Sequence, residues 1–290
     1  MFRGSIVALV TPFSGGKIDE AKLSELIEFH IENGTSAIVS CGTTGESATM
    51  SHEEDINVTE LVIKTVNKRI PVIAGTGSNN TKEALFLTEA AKRNSADAAL
   101  IVTPYYNKPT QEGIYLHYKR IAETVDIPII LYNVPGRTGV GIQPETVVRL
   151  SKVPGIVAIK EASGTVDNAS HILKELPWFN VLSGDDNITM PMMALGAQGV
   201  ISVAANIVPK KVADMCKYML KGNYTKARKI HFECHDLFKA LFYESNPIPV
   251  KTAMNLMGII SDELRLPLCR MGEDAKSRLI KVLNDLGLIN

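Results

Sequence analysis

The sequence predicts an α/β chain: a closed (β/α)8 TIM barrel with a small C-terminal helical extension. Three observations carry this. Apolar runs rich in Val, Ile and Ala recur along the chain at intervals of roughly thirty residues, the size of one strand-plus-helix unit. The runs are near-continuous rather than alternating, as parallel strands covered on both faces are. Each is followed by a turn and then by a helical pattern. An open doubly wound sheet also fits the pattern, but it would leave two edge strands, so the closed barrel is the better reading.

The elements follow in order. The run Ser5-Ile6-Val7-Ala8-Leu9-Val10 leads into a helical segment in which Leu23, Leu26, Ile27 and Ile31 keep helical spacing, with Asp19 as N-cap and Gly34 as stop. The second run, Ala37-Ile38-Val39-Ser40-Cys41, ends in Gly42-Thr43-Thr44-Gly45-Glu46, and Ser51-His52-Glu53-Glu54 opens a helix as a capping box. The third unit pairs Pro71-Val72-Ile73-Ala74-Gly75 with a helix from near Thr81, and the fourth pairs Ala98-Ala99-Leu100-Ile101-Val102 with a helix after Pro109-Thr110. The fifth run, Pro128-Ile129-Ile130-Leu131-Tyr132, precedes the loop Asn133-Val134-Pro135-Gly136-Arg137-Thr138-Gly139 and a helix from Pro144. The sixth is Ile156-Val157-Ala158-Ile159-Lys160-Glu161, the seventh Val181-Leu182-Ser183-Gly184-Asp185-Asp186, the eighth Gly199-Val200-Ile201-Ser202-Val203. Beyond Val208 the pattern is helical, with a break at Asn246-Pro247-Ile248-Pro249. This divides the chain into a catalytic barrel over 1–224 and a helical region over 225–290, packed on the barrel rather than acting as a separate module.

Composition narrows the function. Lys+Arg and Asp+Glu both number 31, so no net field favours nucleic acid or an anionic membrane. No apolar run reaches bilayer length, and Met1-Phe2-Arg3-Gly4-Ser5 does not open a secretory leader. The cysteines, Cys41, Cys216, Cys234 and Cys269, lack metal spacing and are too sparse for a disulfide scaffold. A protein of the reducing cytoplasm with small-molecule partners is expected. None of the histidines ends a strand, and His231 with His235 reads as a packing feature, so no metal is expected. Gly75-Thr76-Gly77 and Gly136-Arg137-Thr138-Gly139 complete no nucleotide-binding pattern and read as turns.

Lys160 is the anomaly, because a lysine is almost never buried without a partner or a purpose. Alternation puts Ile156, Ala158 and Lys160 on one face and Val157, Ile159 and Glu161 on the other, so Glu161 need not neutralise Lys160. Two readings compete on the strand alone: a desolvated amine ready to attack a carbonyl carbon, or a lysine reaching out of the strand end into water. Position within the units weighs on the choice. In such barrels the chemistry sits at the carboxyl ends of the strands, and that mouth would gather Thr43, Thr44, Tyr105, Tyr106, Tyr132, Arg137, Lys160 and Gly184. Imine chemistry needs proton donors and acceptors near the amine, and hydroxyls from several strand ends supply them.

Gly42-Thr43-Thr44-Gly45-Glu46, Tyr105-Tyr106-Asn107-Lys108-Pro109-Thr110, Tyr132-Asn133-Val134-Pro135-Gly136-Arg137-Thr138, Ile159-Lys160-Glu161 and Asn246-Pro247-Ile248-Pro249-Val250-Lys251 resemble, in this order, the motifs of the dihydrodipicolinate synthase family. The likeness runs over essentially the whole chain. It implies a class I, Schiff-base-forming lyase that condenses pyruvate with L-aspartate 4-semialdehyde in lysine biosynthesis, without a cofactor. By that resemblance Lys160 forms the imine, Tyr132 is the general acid and base, Thr43 links it by hydrogen bonds, and Tyr106 completes the relay from a neighbouring subunit. Thr44 binds the pyruvate carboxylate, Gly184 and Ile201 supply backbone contacts, and Arg137 holds the semialdehyde carboxylate, a task suited to its fork of donors. The family also implies a homotetramer built as a dimer of dimers. An allosteric lysine site in some members matches Ser47, Ala48, His52, Asp55, Asn79, Asn80, Glu83 and Tyr105; Asp55 departs from the histidine that sensitive enzymes can carry. Two competitors share the scaffold: a sister aldolase acting on sugar acids, which Arg137 disfavours, and a non-catalytic sensor, which the intact lysine, tyrosines and threonine disfavour.

Overall fold

The computed structural model describes residues 2–289; Met1 and Asn290, the outer limits of the two predicted regions, lie outside the described residues. Eight parallel strands close into a barrel in chain order: β1 (Gly4–Ala8), β2 (Ala37–Ser40), β3 (Val72–Gly75), β4 (Ala98–Val102), β5 (Ile129–Asn133), β6 (Ile156–Glu161), β7 (Asn180–Ser183) and β8 (Gly199–Ser202). β8 pairs with β1, Ile6 standing opposite Ile201, so none of the eight barrel strands is left as an edge. The connecting helices are α1 (Glu20–Glu32), α2 (His52–Val66), α3 (Thr81–Arg93), α4 (Gln111–Thr124), α5 (Pro144–Leu150), α6 (Asp167–Glu175), α7 (Thr189–Ala194) and α8 (Pro209–Leu220). The tail adds α9 (Tyr224–Ala240), α10 (Ile248–Leu256) and α11 (Glu273–Asp285). The fold is the (β/α)8 barrel with C-terminal helices that the alternation predicts.

The alternation of side chains produces two apolar layers. Ile6, Ala8, Ala37, Val39, Ile73, Ala98, Leu100, Ile130, Tyr132, Ala158, Leu182 and Ile201 fill the barrel interior. The opposite strand faces, including Val7, Ile38, Leu131, Ile159 and Val181, pack under the helices in a core that runs on without interruption into Leu237, Phe238, Ala253, Met254, Leu279 and Leu283 of the tail. Each buried leucine- or isoleucine-sized side chain contributes about 1.5–3 kcal/mol relative to exposure, so the tail is held to the barrel by the same term that holds the barrel together. The helix starts follow the capping chemistry in the sequence: Asp19 accepts from the Lys22 N–H at 3.0 Å, Thr110 from the Gly113 N–H at 3.2 Å, and Ser51 and Glu54 form the complete capping box.

Several boundaries move, for local reasons. β1 ends at Ala8 rather than Val10 because the Asn206 side chain intervenes, accepting from the Val10 N–H and donating to the Ala8 carbonyl. β7 ends at Ser183, whose hydroxyl caps the following turn by donating to the Asp185 carbonyl at 2.8 Å. α10 starts at Ile248 because Pro249 falls in the first turn, where its missing N–H costs nothing; it ends at Leu256, before Gly258 at φ +74°. β6 departs from simple alternation: Ile129 pairs with Ile156 but Ile130 pairs with Ala158, so a bulge leaves Val157 without a partner and 39% exposed. Ile156 therefore joins the outer layer rather than the face of Lys160, while Ala158 stays inside. Beyond the bulge, Lys160 points into the barrel as its spacing from Ala158 requires.

Candidate active site

β5 and β6 run in register with Tyr132 opposite Lys160. The two side chains enter the barrel side by side, and Lys160 Nζ lies 4.2 Å from the centre of the Tyr132 ring. Both are buried, Lys160 at 6% and Tyr132 at 7% exposure, so the amine is not a lysine reaching into bulk water. An ammonium over an aromatic face is an attractive pairing that does not itself supply a counter-ion. Glu161, on the other face, is taken up elsewhere: its carboxylate accepts from the Asn133 amide at 2.8 Å and from the Ser163 N–H at 2.8 Å. Burial raises the Glu161 carboxyl above the usual range.

Gly184, one residue past β7, makes room for the lysine. A Cβ there would stand 2.5 Å from the Ala162 Cβ and 2.9 Å from Lys160 Cε. Its N–H donates to the Glu161 carbonyl at 2.7 Å, which fixes the turn against the end of β6. The next residue, Asp185, carries a carboxylate that feels the Lys160 charge: burial pushes its pKa up and the lysine opposes that rise. Its Oδ2 accepts from the Gly164 N–H at 3.1 Å. Asp185 is not among the residues the sequence marks out, although an acid directly after a strand end is a signal of position at the mouth. Ile201, on β8 next to β7, is fully buried in the interior layer.

The Gly42-Thr43-Thr44-Gly45-Glu46 segment turns sharply after β2. Cys41, at φ +50°, and Glu46, at φ +56°, adopt the left-handed backbone that non-glycine residues avoid. The turn closes on itself, the Gly45 N–H donating to the Gly42 carbonyl and the Glu46 N–H to the Thr43 carbonyl. Gly75 lies beneath it, since any Cβ there would come within 2.2 Å of the Cys41 carbonyl oxygen. Thr44 is buried and its hydroxyl accepts from the Asn246 side-chain amide at 3.0 Å. The Asn246 carbonyl in turn accepts from Arg137 Nη2 at 3.0 Å. Arg137 rides on a short helical turn, Pro135–Thr138, that follows β5. Asn246, 109 positions from Arg137, thus joins a site in which its sequence position gave it no role.

A cavity of about 450 Å³ opens at this mouth, lined by Thr43, Tyr132, Arg137 and Asn246. The same cavity is lined by Ser47, Ala48, His52, Asp55, Glu83 and Tyr105. Asn79 and Asn80 stand outside that lining: Asn79 donates to the Tyr105 carbonyl at 3.1 Å, and the Asn80 side chain caps α3. Asp55 is buried with one carboxylate oxygen unpartnered among the described residues, and burial raises its pKa to about 7. Tyr106 stands apart from the cavity. It is 89% exposed at φ +73°, a strained backbone that throws its ring away from its own barrel.

The model of the dihydrodipicolinate synthetase family matches residues 1–286. A curated relative from Geobacter sulfurreducens, 4-hydroxy-tetrahydrodipicolinate synthase, is 58% identical over all 290 residues and the full length of both chains. Among solved structures, the chloride-inhibited dihydrodipicolinate synthase of Acinetobacter baumannii, complexed with pyruvate, superposes with a TM-score of 0.98 at 50% identity over 100% of both chains. The dihydrodipicolinate synthase of Aquifex aeolicus superposes with a TM-score of 0.97 at 53% identity over 99% of both.

Proposed function

The chain belongs to the dihydrodipicolinate synthetase family, and from its site we propose how Lys160 and its neighbours carry the family's reaction. The activity is that of a 4-hydroxy-tetrahydrodipicolinate synthase, a lyase that condenses pyruvate with L-aspartate 4-semialdehyde through a Schiff base in the diaminopimelate route to lysine. The observation that carries the residue assignment is the buried amine of Lys160, 4.2 Å from the Tyr132 ring at the carboxyl mouth and free of Glu161. The amine attacks the keto carbon of pyruvate; loss of water leaves an imine, which draws electrons from the methyl carbon. Removal of a methyl proton gives an enamine that attacks the aldehyde carbon of the semialdehyde; the carbonyl electrons pass to its oxygen, which takes up a proton. The semialdehyde's own amine then displaces Lys160 from the restored imine, closing the ring and freeing the lysine.

Each proton step needs a hydroxyl beside the reacting atoms, and Tyr132 takes that role, with Thr43 linking it to Tyr106 of a partner subunit. What supports the cross-subunit arm is the exposure and strained backbone of Tyr106; it requires at least a dimer, and the homotetramer belongs to the same proposal. Thr44 receives the pyruvate carboxylate, with the backbones near Gly184 and Ile201 completing that pocket, and Arg137 receives the carboxylate of the semialdehyde. The barrel over 1–224 supplies the reacting groups and the region 225–290 supports them, in the cytoplasm. Borohydride added with pyruvate should leave a reduced adduct on Lys160; a folded, pyruvate-saturated chain whose Lys160 stays unmodified would overturn the assignment. Assaying condensation with the semialdehyde against cleavage of sugar acids separates this reading from its sister aldolases.

One observation favours a regulatory role for the outer end of the cavity. Ser47, Ala48, His52, Asp55, Glu83 and Tyr105 line the same space as Tyr132 and Arg137, and the Asp55 oxygen is buried without a donor. Asn79 and Asn80 stand beside this lining, whose carboxyls, Asp55 and Glu83, suit the ammonium groups of L-lysine. Inhibition by millimolar lysine is the expected result, and turnover unaffected by lysine would remove the regulatory role.

A further inference from the structure

The Gly42–Glu46 turn, which carries Thr43 and Thr44, is held from the opposite end of the chain. Lys251, in α10, is 0% exposed. Its Nζ donates to Glu46 Oε1 at 2.6 Å and to the Thr11 carbonyl at 3.0 Å, and it lies 4.3 Å from the centre of the Phe13 ring. Two acceptors and an aromatic face thus engage the three N–H donors of the ammonium. The second Glu46 oxygen accepts from the Arg265 N–H at 3.2 Å, while the Arg265 guanidinium clasps both oxygens of Glu54 at the start of α2. Arg265 also sits over Phe13, 4.4 Å from its ring centre. On the other side of the turn, the Thr11 hydroxyl donates to the Gly45 carbonyl at 2.7 Å.

Stability alone is a poor explanation for such a pair. Desolvating two charges offsets most of their attraction, and replacing a buried ion pair by apolar groups of similar volume is often neutral or stabilising. What this pair specifies is position. Glu46 occupies the left-handed backbone that ends the turn, so its side chain fixes the direction in which the turn leaves β2. Asn246, five positions before Lys251, holds the Thr44 hydroxyl itself. The geometry points to Lys251 and Glu46 as positioning residues for pyruvate recognition: their ion pair locks the threonine turn so that Thr44 meets the substrate carboxylate preformed. The inference rests on the reading of Thr44 as that carboxylate's partner.

The test uses the intact chain carrying Lys251→Met with Glu46→Gln, which leaves no unpaired buried charge. Hydrogen–deuterium exchange of the segment around Gly42–Glu46 without substrate reports the lock independently of chemistry, and borohydride trapping across a pyruvate titration reports recognition. Exchange in that segment is expected to quicken at least about ten-fold over wild type. The pyruvate concentration giving half-maximal trapping should rise by about ten-fold, with the yield at saturation unchanged, since the reacting groups stay in place. Unchanged exchange and unchanged half-saturation would overturn the inference. Absence of trapping in the wild type would instead overturn the imine assignment, so the two failures are distinguishable. Should the double variant not fold, Lys251→Leu with Glu46→Met, which likewise leaves no unpaired buried charge, is read by the same two measurements, with the same outcomes deciding.

Discussion

Gly184 shows how narrowly a single residue bounds the chemistry. A methyl group there would meet Lys160 Cε at 2.9 Å and Ala162 Cβ at 2.5 Å, both well inside contact distance. Lys160 must then rotate away from Tyr132, or the turn after β7 must shift. Overpacking of this kind costs about 1–3 kcal/mol of stability, which a folded barrel survives. Misplacing a reacting atom by about 1 Å costs on the order of a hundred-fold in rate. Gly184→Ala should therefore lower kcat by roughly that factor while a thermal melt stays cooperative and shifts little. A variant with wild-type kinetics would show that the pocket relaxes around the added methyl, and the assigned proximity of Gly184 to Lys160 would lose its meaning.

Among the elements, the short turn Pro135–Thr138 gives Arg137 a fixed base, and the Asn246 carbonyl holds one guanidinium nitrogen from the far side. A lysine would keep the charge but lose the fork that takes a carboxylate with two parallel bonds. Arg137→Lys is expected to raise KM for the semialdehyde by about ten-fold, while pyruvate-dependent trapping on Lys160 is unaffected. A matching rise in the pyruvate requirement would place Arg137 on the wrong substrate. Elements such as this one also show what was legible in the sequence. Lys160, Tyr132 and Gly184 could be placed because each sits at a strand end whose register follows from an apolar run. The bulge at Val157 could not, because it arises from the pairing of β5 with β6 and not from β6 itself. The ion pair of Glu46 with Lys251, 205 positions apart, had no local signal; only closure of the barrel and docking of the tail bring the two together. Asp55 was legible as a departure, but its burial and its unpartnered oxygen belong to the folded cavity.

For the whole molecule, the clearest consequence of burial lies in its acid stability. His30 in α1 is 0% exposed, its Nδ1 bonded to the Thr35 hydroxyl and its Nε2 buried without a partner among the described residues. His117 in α4 repeats the arrangement against Thr81, 6% exposed. Burial lowers their pKa values to about 3 and about 4. The unfolded chain takes up these protons below about pH 6.5 and the folded chain does not, so stability is fully present above that pH and is lost as pH falls toward the folded values. Each histidine removes about 1.4 kcal/mol per pH unit across that window. Asp55 acts in the opposite sense: raised to about 7, it favours the folded state as pH falls below that value. Glu161, Asp185 and Asp186, also raised by burial, act with Asp55 at lower pH. A single acid titration therefore mixes both signs, and the histidines are isolated only by difference. Urea unfolding of wild type and of the His30→Gln/His117→Gln double variant, compared at pH 7 and pH 5, provides that difference. Acidification should cost the wild type about 2–4 kcal/mol more than the variant over that interval. Equal losses in the two chains would mean that the folded histidines accept protons as readily as the unfolded ones, which the unpartnered nitrogens inside the barrel's helical layer do not permit.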